Sequence, residues 1–286
     1  MFASLAIAAA VAASGPATLA EWHAACDGKE DWSAPAPPLH VFGNVYDVGT
    51  CTITVLLITS PKGHVLLDAA TAGAAPSVAA NIERLGFRLH DVRLIGSSHE
   101  HLDHAGGIAA LQERTGAVVM AMPAAFNALE TGVVDESDPQ SGLHPPFPGA
   151  KVGIILFDGQ PLRAGPNTLT AYATPGHAPG STSWSWRACE GQSCVTIVYA
   201  DSVSAVSADS YRFSDHGGHV IAFRNSLRII GHLKCDLLIT PHPGASNFIE
   251  RLDGKAPLIG DGQCRDYAAR GAAALDARLA KEAASK

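Results

Sequence analysis

The chain has 286 residues, of which 47% are hydrophobic and 16% charged, with a formal net charge of -7. That length and composition suit one large globular domain, or two halves sharing a core. No Lys/Arg run stands out, which argues against a phosphate backbone as partner. No internal stretch reaches the roughly 18 apolar residues of a membrane span.

The chain opens on "MFASLAIAAAVAASGPATLA", an apolar run ending in small residues. It reads as an export signal over residues 1–20 with Ala20 as the cleavage position, although no Lys or Arg precedes the apolar core. Gly15 and Pro16 argue against a helix of the fold there. The remainder, 21–286, reads as a single domain. Six cysteines suit an exported chain. Fifteen pairings exist in principle. Joining near neighbours gives Cys26–Cys51, Cys189–Cys194 across the turn "EGQS", and Cys235–Cys264. The rival use, zinc ligation, ranks low because no cysteine lies within a histidine cluster.

In chain order, "SAPAPPLH" (33–40) is a Pro-rich extended lead-in. "TITVLLITS" (52–60) and "HVLLDAA" (64–70) are strand-length apolar runs joined by "PKG", which predicts a hairpin. "AAPSVAANIERLGF" (74–87) has helical spacing and a Gly stop. "VRLIGSS" (92–98) is a strand, "AGGIAALQERTG" (105–116) a helix and "AVVMAM" (117–122) a strand, so the first half reads β-β-α-β-α-β. Residues 127–150 form a long polar loop. The second half offers strands at 168–177, 182–186, 195–202 and 235–244, a helix near 219–233 and an amphipathic C-terminal helix at 264–285. Two mixed halves of similar size predict an α/β fold in which two sheets pack face to face with helices outside. No sequence repeat is evident.

Histidine or carboxylate follows one strand after another. His99, His101, Asp103 and His104 follow "VRLIGSS", His177 follows "TLTAYATPG", Asp201 and Ser202 end "VTIVYA", and His242 follows "CDLLITP". Strand ends converging on one edge make a shared cleft. Neutral imidazole and carboxylate suit Zn²⁺. Five histidines and one aspartate are too many for one tetrahedral ion and suit two. In an extended loop His99 and His101 point the same way, and His104 must point elsewhere. Glu100 then faces the opposite side and is expected to be solvent-facing or to support the following helix. The remaining histidines are isolated and carry no expected role.

"HEHLDH" matches H-x-H-x-D-H, and "TPGHAPGSTSW" and "LLITPHPGASNF" match the surroundings of later metal histidines, so the chain resembles the metallo-β-lactamase superfamily. With its six cysteines it looks like subclass B3, secreted dizinc enzymes that hydrolyse β-lactams. The resemblance runs from about Cys26 to the C-terminal helix. It implies the superfamily's αβ/βα four-layer sandwich and two Zn²⁺ per chain, one on His99, His101 and His177, the other on Asp103, His104 and His242. Ser202 stands where other subclasses place a cysteine ligand. Ser202 and Ser204 would lie near the substrate carboxylate, with ordinary turn hydroxyls as the rival reading, and Gln140 would line the pocket. Asp68, at the end of "HVLLDAA", resembles a residue that fixes a ligand histidine; a turn-capping Asp is the alternative.

The implied reaction is attack of a zinc-activated hydroxide on the lactam carbonyl, with Asp103 orienting it. No G-x-S-x-G and no Cys–His pair offers another nucleophile. The expected partner is a small-molecule β-lactam, with no nucleic acid and no membrane span. The protein is expected to be a periplasmic or secreted monomer. Two rivals stay open. A glyoxalase-II-like thioesterase or lactonase would use Asp201 as a bridge between metals, although alternation turns Asp201 away if Ser202 faces the cleft. A non-catalytic zinc-binding protein would have a closed site.

Overall fold

The computed structural model describes residues 15–285. The first fourteen residues of the expected export segment lie outside that range. Residues 15–20 lie inside it and belong to the folded structure. The Gly15 N–H donates to the Arg84 carbonyl (2.8 Å) and the Ala17 N–H to the Pro38 carbonyl (2.7 Å). Thr18 and Glu21 form a reciprocal capping box on helix α1 (Leu19–Cys26).

The first sheet has seven strands in sequential order, β1 (Leu39–Phe42), β2 (Val45–Asp47), β3 (Leu56–Ile58), β4 (His64–Leu67), β5 (Val92–Gly96), β6 (Val118–Ala121) and β7 (Val152–Ile155). Pairing is antiparallel from β1 to β4 and parallel from β4 to β7. The second sheet runs β12-β11-β10-β9-β8, from β8 (Pro161–Ala164), β9 (Asn167–Ala173), β10 (Thr182–Glu190), β11 (Ser193–Tyr199) and β12 (Leu237–Ile239). Only its β11–β12 pair is parallel.

Alternation along these strands sorts side chains into layers. Leu56, Ile58, Val65, Leu67 and Met120 of the first sheet meet Trp184, Trp186, Ile197, Tyr199, Leu237 and Ile239 of the second in one core between the sheets. Their intervening neighbours Leu57, Leu66 and Val119 face outward onto α2 (Ala75–Arg84) and α4 (Ile108–Thr115). Val198 and Leu238 face α6 (Gly217–His232) and α8 (Gln263–Ala284). The central strands are buried on both faces, which is why they read as continuous apolar runs. This is the expected arrangement of two mixed sheets with helices outside.

The expected hairpin is β3–β4. Other elements depart from the reading. The Pro-rich lead-in runs into β1, and β2 follows soon after it; strands of three or four residues carry little periodic signal. The 127–150 loop begins with the end of helix α5 (Phe126–Thr131), and β7 and β8 lie beyond it as edge strands. The helix expected at 105–116 is α4, which starts at Ile108 and is preceded by a separate short helix, α3 (Leu102–Ala105). At Gly107 an added Cβ would stand 2.2 Å from the Ala69 carbonyl oxygen, so the glycine lets this junction press against the turn after β4. The cysteines pair as near neighbours, Cys26–Cys51, Cys189–Cys194 and Cys235–Cys264. Among the described residues no helix is long and apolar enough to cross a membrane. The remaining α-helix among the described residues is α7 (Phe248–Leu252).

Candidate metal centre

The cluster forms where strand ends from the two sheets meet. His99, His101, Asp103 and His104 leave the end of β5 and the start of α3. His177 comes from the β9–β10 connection, and His242 follows β12. The two halves are stitched at this point. The Thr182 N–H donates to the Ser98 carbonyl and the Trp184 indole N–H to the Ser97 carbonyl. Trp184 passes so close to Gly96 that a Cβ there would lie 2.7 Å from the indole.

Two groups of ligand atoms result. His99, His101 and His177 converge within 4.8 Å of one another. Their ring centroids are 4.7 to 5.0 Å apart. In the second group the Asp103 Oδ2 lies 3.1 Å from His104 Nε2 and 3.4 Å from His242 Nε2, and those two nitrogens are 3.2 Å apart. For a tetrahedral Zn²⁺ with ligand bonds near 2.05 Å, neighbouring ligand atoms stand ~3.3 Å apart. The second group already has that spacing. His99 takes part in both sets, since its ligand atom also lies within 4.8 Å of those of Asp103 and His104.

Four of the five candidate imidazoles, all but His242, are held from behind, which decides which nitrogen keeps a lone pair. His99 Nδ1 donates to Asp201 Oδ1 (2.8 Å), and its Nε2 is buried with no partner. His101 Nε2 donates to Asp138 Oδ2 (2.9 Å). His104 Nδ1 donates to Asp68 Oδ2 (3.0 Å). His177 Nδ1 lies 3.0 Å from both the carbonyl and the hydroxyl oxygen of Ser204. An orphaned buried nitrogen facing other lone pairs is costly unless a cation sits among them.

The electrostatics agree. Burial, reinforced by neighbouring imidazoles, holds His99 and His177 well below the ordinary histidine range, so both imidazoles are neutral at neutral pH. Burial would lower His104 too, but Asp103 and Asp68 outweigh it and push it up. Burial would raise Asp103, but His104 and His242 hold it well below the usual carboxylate range. The pocket around Asp103 is thus built to hold positive charge.

A family model for the metallo-beta-lactamase superfamily matches residues 48–190, half of the chain. The chain belongs to the metallo-β-lactamase superfamily. Its structure is similar to that of the metallo-β-lactamase MIM-1 from Novosphingobium pentaromativorans, at 48% identity and TM-score 0.90, covering 93% of this chain and 98% of that one. It is also similar to MEM-A1, a subclass B3 metallo-β-lactamase from a soil metagenome library, at 40% identity and TM-score 0.85, covering 90% and 100%. A probable metallo-hydrolase of Burkholderia pseudomallei (strain 1710b) is 28% identical over 152 residues, and the chain spans about half the length of that curated relative.

Within this metallo-β-lactamase fold one expectation about the site needs revision. Glu100 is not solvent-facing. It is buried, its Oε1 accepts the Gly180 N–H (2.7 Å), and burial pushes its carboxyl up to about 7. It therefore ties the motif to the loop carrying His177. Asp201 is fully buried behind His99 and touches the ring nitrogen that faces away from the ligand cluster. Ser202 is partly exposed, and Ser204 is drawn to His177. Gln140 is buried, with its side-chain nitrogen 3.3 Å from His177 Nε2. Asp68 accepts from Ser98 Oγ (2.8 Å) and Tyr199 Oη (2.7 Å) as well as His104, so it is far more than a turn cap. It adopts a φ of 66°, a strained backbone that aims its carboxylate into the cluster.

Asp138, Tyr199 and Ser98 were missed in the sequence. Ser98 adjoins the motif and could have been suspected. Asp138 had no local signal, because its partner His101 is 37 residues away. Beside His101 a cavity of about 320 Å³ opens between Leu102, Val133, Gln140, His144 and Phe147. On the far side, next to the partly exposed His242, a second of about 430 Å³ is lined by Trp22, Thr52, Pro243 and Ile249.

Proposed function

We propose that this chain is an exported dizinc hydrolase that opens the β-lactam ring of penicillins, cephalosporins and carbapenems and so confers antibiotic resistance. It would act as a periplasmic or secreted monomer. The observation that carries the reading is the cluster of His99, His101 and His177 beside that of Asp103, His104 and His242, with the buried His99 Nε2 unpartnered between them. Similarity over nearly the whole chain to proteins described as metallo-β-lactamases supports it.

In this reading His99, His101 and His177 hold the first Zn²⁺, and Asp103, His104 and His242 hold the second. When bound, the two ions supply a water that is nucleophilic near neutral pH, polarisation of the lactam carbonyl and charge stabilisation at the departing nitrogen. The chain does the rest. Asp201, Asp138, Asp68 and Ser204 keep each ring proton on the outward nitrogen and leave the inward lone pair free. Asp103 contributes the anionic ligand and an oxygen that accepts a hydrogen bond from the attacking water and so orients it. Gln140, Ser202 and Ser204 line the cleft for the substrate's carbonyl and carboxylate, and the flanking cavities receive its substituents. Asp201 as a bridge, which a thioesterase or lactonase would need, is disfavoured by its hydrogen bond to the outward nitrogen of His99. A non-catalytic closed site is disfavoured by having three ligands per ion, which leaves a coordination position for water.

Nitrocefin and imipenem turnover by the purified protein tests the reading. Chelation by EDTA should abolish turnover, added Zn²⁺ should restore it, and clavulanate should have little effect. Full activity in metal-free protein refutes it.

A further inference from the structure

We infer that Asp138 is a positioning residue that ties binding of the first metal to closure of the 135–141 loop over it. The inference rests on the dizinc reading and goes beyond its ligand set. Asp138 is buried, with a side chain 0% exposed, in a loop otherwise rich in exposed polar residues. Its two carboxylate oxygens do different work. Oδ2 accepts from His101 Nε2 (2.9 Å), and Oδ1 accepts the backbone N–H of Gln140 (2.7 Å). The first contact keeps the His101 proton on Nε2, so the Nδ1 lone pair is the one left for a ligand bond. The second shapes the turn that brings the Gln140 amide to 3.3 Å from His177 Nε2.

The same turn is fastened on its other side, where the Pro139 carbonyl accepts the Ala208 N–H (2.8 Å). Residue 208 belongs to the stretch that also carries Ser204, whose oxygens meet His177 Nδ1. Two of the three histidines of the first group are thus joined through one buried carboxylate and two loops. A burial this complete is costly for a carboxylate unless both oxygens are engaged, and here one engagement is a ligand and the other is the loop. Losing the carboxylate therefore frees His101 to change tautomer and frees Gln140 from its place over His177, whereas an ordinary loop residue would affect neither.

Asp138→Ala removes both contacts. Asp138→Asn keeps one carbonyl oxygen and cannot serve both donors. Asp135→Ala is the control, since Asp135 braces the same loop through Ser137 and its side chain reaches no histidine. Zinc-loaded full-length proteins are titrated with a chromophoric zinc chelator, counting zinc retained per chain, and nitrocefin KM and kcat are measured at saturating zinc. Removing a partner of a ligand histidine typically costs 10–100-fold in metal affinity. Both Asp138 variants should therefore release one zinc at about 10–100-fold lower chelator than wild type. Their KM should rise more than kcat falls, and Asp135→Ala should follow the wild type. If Asp138→Ala fails to fold, Asp138→Asn carries the comparison. Release curves of folded Asp138 variants that superimpose on a two-zinc wild type overturn the tether alone, as does an equal shift in Asp135→Ala. A wild type that never holds two zinc ions overturns the dizinc reading and the tether together.

Discussion

Asp68→Asn tests how the second half of the site is built. Asp68 is fully buried and serves four donors: the backbone N–H of Ser98 on Oδ1, and Ser98 Oγ, His104 Nδ1 and Tyr199 Oη on Oδ2. An asparagine there must point its NH₂ at one side or the other. Facing Ser98 N–H, it sets donor against donor. Facing His104, it lets the two hydroxyls turn round but leaves the imidazole proton without an acceptor. A buried group stranded in this way costs about 1–3 kcal/mol. The charge that fixes His104 as a ligand is lost as well, which should weaken the second zinc by about 10–100-fold. At 1.4 kcal/mol per tenfold, that adds about 1.4–2.8 kcal/mol to the loss of holoprotein stability. The assay is chelator competition with zinc counted per chain, alongside thermal melts of apo and holo protein. The melting deficit should be larger in the holo form than in the apo form. An Asp68→Asn protein with wild-type zinc affinity and an unchanged apo melting temperature refutes the argument that this carboxylate organises the site.

Further outcomes follow from other contacts. Asp103→Asn should release the second zinc and cut turnover sharply, because an anionic ligand is lost, with metal analysis and nitrocefin kinetics as the readouts. Ser204→Ala should leave zinc content near wild type, since the Ser204 backbone carbonyl still accepts from His177, while raising KM more than it lowers kcat. Burial would raise the Glu282 carboxyl, but the Ser214 N–H, Arg278 and the Phe213 N–H outweigh it and hold it at about 2. A folded-state value below the unfolded one gives stability that is fully present above about 4.5 and is lost as pH falls from there towards 2. Glu282→Gln should therefore lower stability on the order of 1–2 kcal/mol at pH 7, after allowing for solvent screening, and the deficit should shrink in denaturant melts towards pH 3. Because Gly15, Ala17 and Thr18 are bonded into the fold, N-terminal sequencing of exported protein should find processing at or before Gly15. A mature chain starting after Ala20 would show that those contacts are dispensable.

Much of the site was legible from short-range pattern alone. The spacing of His99, His101, Asp103 and His104 lies within six positions, and no distant residue is needed to see that it is a metal motif. The apolar runs of β4, β5, β11 and β12 announced strands, and each was followed by a polar residue that reached the site. Near-neighbour cysteines found the observed disulfides for a similar reason. The tertiary structure decided what stands behind the ligands. His99 meets Asp201 across 102 residues, His104 meets Asp68 across 36 and His101 meets Asp138 across 37. None of these partners has a periodic or spaced signature, because a carboxylate at a loop or strand end looks the same whether it caps a turn or holds a histidine. Glu100 shows the same limit. Alternation turned it correctly away from the ligands, but only the packing of the His177 loop against it made that side an interior. Local pattern specifies which way a side chain leaves the backbone; what it meets there depends on a second segment of chain whose position is set by burying the shared core between the two sheets.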